Sequence, residues 1–283
     1  MTLRDRTPSV AGTFYESTPE SLRKRLEWCF LHRLGPGSLP SKPIKAQRSI
    51  LGLVSPHAGF IYSGPIAAHG YFQLSTEPAP KVVAIIGPNH TGMGAGVSLW
   101  EGGDWATPLG KIPVERHLTR SIADAGAGEL DSEAHIFEHS IEVQLPFLQY
   151  SLGEGFKIIP ICMMLQDKET SAELGSALAK ALKPAEAVII ASTDFSHYEP
   201  YSVAYTKDSM VAEEILKMNP AGVGTTVERE GVSMCGPGPV MAAMTAAKAM
   251  GATVFEKLCY ATSGDTSGSK GEVVGYGSFV MKR

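Results

Sequence analysis

No CxxC pair and no dense cysteine framework occur in this chain. Cys29, Cys162, Cys235 and Cys259 are scattered over 283 residues, which favours reduced thiols in a cytoplasmic protein over a disulfide scaffold. No apolar run approaches about 18 residues, so no transmembrane helix is expected. The first residues, MTLRDRTPSVAG, are polar and lack a hydrophobic signal core, so no secretory leader is expected. There is no basic stripe and the net charge is −4, which removes the electrostatic footprint of a nucleic-acid binder. The glycines make neither a GxGxxG nor a Walker pattern, so a nucleotide fold is not supported. Internal repeats and low-complexity tracts are also missing. What remains is the composition of an ordinary globular protein, 43% hydrophobic and 19% charged, long enough to bury a substantial core. No shift in composition marks a boundary, so residues 1–283 are expected to form one domain.

Along the chain, apolar runs alternate with amphipathic stretches. Thr7 to Tyr15 suggests an ordered, mostly extended lead-in segment. Thr18-Pro19-Glu20 is a helix start, a threonine cap followed by proline, and that helix is expected to run to about His32. Buried strands are expected at Ile50–Val54, Val82–Ile86, Ile158–Cys162 and Ala187–Ala191, with later ones at 253–260 and 273–280. Val97 to Trp105 and Gly110 to Ile112 suggest a β-excursion over the sheet edge. Helices are expected near 65–74, 115–125, from Glu138 to Gln149, and at 168–182, 203–217 and 240–250. The stretch TSGDTSGSKGE has the composition of a mobile loop. Strands and helices in this alternation predict an α/β fold, a three-layer α/β/α sandwich with a mostly parallel or mixed central sheet.

The chemistry concentrates at strand ends. His57, His90 and His197 each lie just past a different buried strand, the first two within glycine-bearing turns that would let a ligand approach. If the strands are parallel neighbours, the three imidazoles emerge at one sheet edge, where such sheets bind ligands. Histidine serves there either as a metal ligand or as a general base. Asp194, three residues before His197, is placed to orient that ring, to bind a metal beside it, or simply to cap a turn. Cys235 lies in a glycine-proline loop that opens a helix, where the helix terminus is expected to favour an exposed thiolate. Glu138 and His139 read equally as site residues and as an acidic first helical turn. Tyr62 joins them as a candidate for lining a pocket, while Phe60 and Trp105 suit the core at least as well. His32, His69 and His117 fall in helical segments without convergent partners.

The blocks RTPSVAGTFY, PHAGFIYSG, IIGPNHTG, EHSIEVQLPFLQ, STDFSHY, MCGPGP, YATSGD and VVGYGSF follow one another over almost the whole chain. Together they resemble the Memo family, also called AmmeMemoRadiSam system protein B. That resemblance implies a fold similar to the class III extradiol dioxygenases, iron(II) enzymes that open catechol rings. It also implies that His57 and His90 correspond to metal-ligand histidines, and that Cys235 stands where the dioxygenases carry a ligating glutamate. His197, with Asp194 beside it, corresponds to the acid/base histidine. A thiolate in place of a carboxylate makes a softer site, suited to copper(I), zinc or thiolate-bound iron. Iron(II) or copper is the expected cofactor ahead of zinc, with no organic cofactor. The expected function is therefore a metal-binding redox protein acting on an unknown small molecule. The alternative is a non-catalytic binder of a peptide or partner, since animal Memo proteins are associated with signalling and phosphotyrosine peptides. In prokaryotes the family is linked with an AMMECR1-type protein and a radical SAM protein. A metal-assisted hydrolase is a further competitor, with Asp194 or Glu138 as its base.

Overall fold

Runs of valine and isoleucine account for the middle of the sheet, because β-branched side chains suit a pleated surface buried on both faces. The computed structural model describes residues 4–41, 43–183 and 185–283. In chain order the first elements are α1 (Pro19–Leu31), β1 (Ile50–Ser55), α2 (Phe60–Ser75), β2 (Val82–Pro88) and β3 (Val97–Leu99). Next come β4 (Trp105–Thr107), β5 (Gly110–Ile112), α3 (Arg116–Asp124), β6 (Glu129–Leu130) and α4 (Leu145–Leu152). The chain continues through β7 (Lys157–Met163), α5 (Lys168–Leu182), β8 (Ala187–Ser192) and β9 (His197–Glu199). It ends with α6 (Tyr201–Leu216), α7 (Pro220–Glu230), α8 (Pro237–Ala249), β10 (Val254–Thr262), α9 (Ser263–Ser267) and β11 (Val273–Lys282).

The main sheet has the order β10-β11-β1-β8-β2-β7-β3-β6. Its centre, β1, β8, β2 and β7, is parallel, while β11 and β3 flank it antiparallel. Side chains alternate cleanly between two layers. Leu53, Val83, Ile85, Val188 and Ile190 pack with α1, α2 and α4. Val54, Ala84, Ile86, Ile189 and Ala191 pack with α3, α5, α6, α7 and α8. The α/β/α sandwich with a mixed sheet is thus the observed architecture. No helix among the described residues is long and apolar enough to cross a membrane.

Several elements differ from their sequence expectation. Helix α2 begins at Phe60, not at Pro65, with Gly59 as its N-cap. Pro65 sits in its second turn, where the missing N–H deprives only the Ile61 carbonyl at the helix start. Strand β3 belongs to the main sheet beside β7, and only the β4–β5 hairpin stands outside it. The lead-in is turned as well as extended, because the Thr13 and Phe14 amides both donate to the Val10 carbonyl. The expected helix from Glu138 starts late, with a 3-10 turn at Glu142–Gln144 before α4. The Glu138 carboxylate takes up the amides of His139 and Ser140 at 2.8 Å each, a side-chain bond that competes with helix formation. Helix α7 has no counterpart in the sequence expectation. The supposed mobile loop opens with α9, held by a capping box between Thr262 and Asp265.

Candidate metal centre

Parallel β1, β8 and β2 deliver His57, Asp194 and His90 to the same sheet edge. His57 follows β1 and is buried. Its Nδ1 lies 2.8 Å from Ser192 Oγ, on the last residue of the neighbouring strand. That hydroxyl donates to the Ser140 carbonyl (2.7 Å) and accepts from Gln144 Nε2 (2.7 Å). Gln144 is fixed in turn by donating to the Pro56 carbonyl and accepting from Tyr71. With its single proton committed, the serine can only accept from the ring, so Nδ1 carries the hydrogen. Nε2 is then a lone pair directed at Cys235 Sγ, 3.3 Å away. Burial, with His139 and His90 nearby, holds the His57 pKa well below the usual imidazole range, so the ring is neutral.

His90 is set by a different device. Asn89 accepts the amides of Thr91 and Gly92 at 2.9 Å, turning the chain just after β2. Glu138 then accepts the His90 amide at 2.6 Å and its Nδ1 at 2.9 Å. Burial by itself would raise the Glu138 carboxyl, but the His90 hydrogen bond and charge outweigh it, lowering the pKa to about 2. Burial opposes the charged form of His90 too, and there Glu138 outweighs it in the other direction, raising the imidazole. In the neutral ring the remaining His90 nitrogen, Nε2, keeps its lone pair free to ligate.

Cys235 precedes Gly236, the N-cap of α8. The helix-terminus expectation of a thiolate is not met: burial pushes the thiol well up, and the Asp194 charge adds to it. A bound cation would reverse this, because a coordinating thiol is deprotonated outright. The donor atoms of His57, His90 and Cys235 all lie within 4.8 Å of one another. Ligands 2.0–2.3 Å from a tetrahedral metal sit about 3.3–3.8 Å apart, so the His57–Cys235 pair already has ligating separation. Both imidazoles have their other nitrogen held by a serine or a carboxylate, the usual support for metal-binding histidines. The residues present fit a transition-metal ion. His90, Glu138 and His139 also cluster within 4.8 Å, but Glu138 already accepts four N–H donors and serves to orient His90.

Asp194 is buried beside these donors. Its Oδ1 accepts the His57 amide at 2.8 Å, and its own amide points at Cys235 Sγ at 3.1 Å. Burial raises its carboxyl to about 6, against the pull of the His57 amide, His197 and His90. It does not hold the His197 ring, as the sequence spacing suggested. The Ser233 carbonyl accepts Nδ1 at 2.8 Å and the Ser233 hydroxyl accepts the His197 amide at 2.7 Å, leaving Nε2 as an acceptor. His139 stacks on His90 with ring centroids 4.6 Å apart and packs against Phe14 at 4.7 Å. Tyr62 is exposed on the first turn of α2, whereas Phe60 and Trp105 are core residues. Of the glycines near these turns, Gly64 and Gly87 are required by packing, since a Cβ there would meet Cys29 Sγ or Ser140 Oγ, whereas a Cβ on Gly92, next to His90, would meet open space.

Sequence reasoning missed Ser192, Gln144, Ser233, Arg6 and Glu142. Arg6 donates to the carbonyls of His135 and Glu138 and pairs with Glu142, tying the lead-in to the segment that carries Glu138. An isolated arginine and glutamate 136 residues apart offer no local signal. A strand-end serine facing a histidine one strand away is visible only once the register is known.

A family model described as Memo-like protein matches residues 6–280. A MEMO1 family protein from Methanopyrus kandleri is 48% identical over 282 residues, covering 99% of both chains. Another from Methanothermobacter thermautotrophicus is 46% identical over 274 residues, covering 96% of this chain and 98% of the relative. A crystal structure of an uncharacterized protein from Escherichia coli K12 superposes with a TM-score of 0.53 at 13% identity. It covers 82% of this chain and 99% of that one, a likeness of fold alone. With one family matched almost end to end and relatives near half identical over nearly the whole chain, this chain belongs to the Memo-like family.

Proposed function

We propose that this chain is a metal-dependent redox enzyme acting on a small molecule, with iron(II) or copper held by His57, His90 and Cys235. The observation that carries the reading is the His57 Nε2 to Cys235 Sγ approach of 3.3 Å, with the tautomer of each histidine fixed from behind. Such a metal supplies one-electron chemistry and open coordination positions for substrate. His197, with Nδ1 pinned to the Ser233 carbonyl, offers Nε2 to take or return a substrate proton. Asp194, raised to about 6, exchanges a proton near neutral pH from inside the site. Tyr62 and His139 flank the approach, and Glu138 keeps His90 aimed.

Metal analysis of anaerobically purified protein tests this directly. Stoichiometric iron or copper is expected, and it is lost in His57→Ala. An absence of bound metal in both proteins sinks the reading. Oxygen uptake with a panel of catechols then separates oxidative from hydrolytic chemistry. Cys235→Glu, which restores a carboxylate ligand, is expected to create or raise ring-opening activity.

A second reading rests on the exposed rings of Tyr62 (43%), Phe137 (64%) and Tyr198 (73%), each within five residues of a site histidine. Tyr198 holds a left-handed φ of 57°, a strained conformation of the kind found at functional sites. These rings suit capture of a peptide or partner at the same site. Binding that survives joint alanine substitution of His57, His90 and Cys235 would exclude the site as the point of capture.

A further inference from the structure

We propose that a cavity at the opposite edge of the sheet, lined by Arg48, Lys183 and Arg283, binds a small phosphorylated ligand. The inference is independent of the metal centre. The cavity measures about 470 Å³, within the range of small-molecule sites. It lies where β1 and β8 begin, whereas the histidines lie where those strands end. Strand β1 has six residues, so about 20 Å of strand separates the two places.

The decisive feature is Arg48. Both of its terminal guanidinium nitrogens are buried without a hydrogen-bond partner. A guanidinium stays charged, so these donors cannot be silenced by losing a proton, and leaving them unmet is costly. The carboxylates whose charge reaches it are already engaged. Glu77 accepts from Lys45, Ser49 and Ile50, and Glu186, which itself lines the cavity rim, pairs with Lys81 at the surface, leaving three cations against one carboxylate. Lys183 and Arg283 form no ion pair among the described residues. Basic groups near the ends of α5 and α8 could complement those helix termini, yet Arg48 donates to no carbonyl there. A planar fork of donors with two further cations matches a phosphoryl group. Leu51, Ala187 and Met250 add an apolar wall for the rest of the ligand.

Calorimetric titration with pyrophosphate, against potassium chloride of matched ionic strength, tests the site. Saturable binding is expected for the full chain, unchanged in His57→Ala, and weakened at least about tenfold in Arg48→Met. The ligand-free melting temperature of Arg48→Met should stay level or rise, because an unmet buried charge has been removed. No binding above the chloride control overturns the proposal, as does unaltered binding by Arg48→Met. Binding that disappears in His57→Ala assigns the anion to the metal centre and overturns it equally. If Arg48→Met does not fold, the exposed pair Lys183→Ala/Arg283→Ala decides, and undiminished pyrophosphate binding there is the refuting result.

Discussion

Replacing Glu142 by glutamine should unfasten the segment that aims His90. The Glu142 carboxylate is fully buried and accepts from Arg6 Nη1 (2.6 Å), the Ser9 amide (2.9 Å) and Ser9 Oγ (2.9 Å). It also accepts from the Val10 amide (3.1 Å) and Tyr15 Oη (2.6 Å). Glutamine keeps the shape but sets an NH2 among donors and leaves the buried Arg6 charge unpaired. Removing one partner of a buried ion pair costs about 3–5 kcal/mol. Unfolding entropy over 283 residues is about 0.6 kcal/mol/K, so the melting temperature should fall by about 5–8 °C.

The pH dependence has a definite sign. Burial opposes ionisation of Glu142, but the Arg6 charge and the Tyr15 and Ser9 hydrogen bonds outweigh it, so its carboxyl lies below the ordinary value. The stabilisation is therefore complete above the unfolded carboxylate pKa, about 4.3. It is lost as pH falls through the lowered folded value. Calorimetric melts of wild type and Glu142→Gln should differ most near neutrality and converge in acid. A neutral-pH loss below about 2 °C, or a gap that does not narrow in acid, refutes the reasoning. Arg6→Met with Glu142→Leu should recover part of the loss, since an apolar pair carries no unpaired charge.

Three further substitutions probe the site. Glu138→Gln should weaken metal binding about 10–100-fold, because the amide removes the charge behind the His90 ring and sets an NH2 against one of the two His90 N–H groups that the carboxylate accepts; a chelator-competition titration with unchanged affinity would refute this. Cys235→Ser should reduce copper(I) affinity more than zinc affinity, as a hydroxyl is a poor ligand for the softer ion; equal losses in parallel titrations count against a thiolate ligand. Gly87→Ala drives a Cβ into Ser140 Oγ and should cost about 1–3 kcal/mol in urea unfolding. A neutral effect there would mean that the Ser140 turn yields freely.

Local chemistry made part of this molecule legible. Uninterrupted apolar runs announced β1, β2, β7 and β8, and Thr18-Pro19 marked the start of α1, because strand burial and capping are short-range effects. Helix α7 carried equally local signals that sequence reasoning passed over: Asn219 and Pro220 open it and a left-handed Gly231 closes it. The late start of α4 was not legible, since Glu138 spends its carboxylate on backbone amides only when His90 is beside it.

The sequence by itself determined that His57, His90 and His197 would stand at strand ends, because an apolar run broken by a proline, glycine or polar turn ends a buried strand wherever it lies. The tertiary structure decided that β8 would lie between β1 and β2, which brings Ser192 under His57 and Asp194 beside Cys235. It also decided that Cys235 would be a half-buried thiol held in its neutral form, that Ser233 and not Asp194 would hold His197, and that Arg6 would anchor the segment bearing Glu138. Those outcomes depend on desolvation, on hydrogen-bond partners from 36 to more than a hundred residues away, or on the register of neighbouring strands. Neither is written in the spacing of nearby residues.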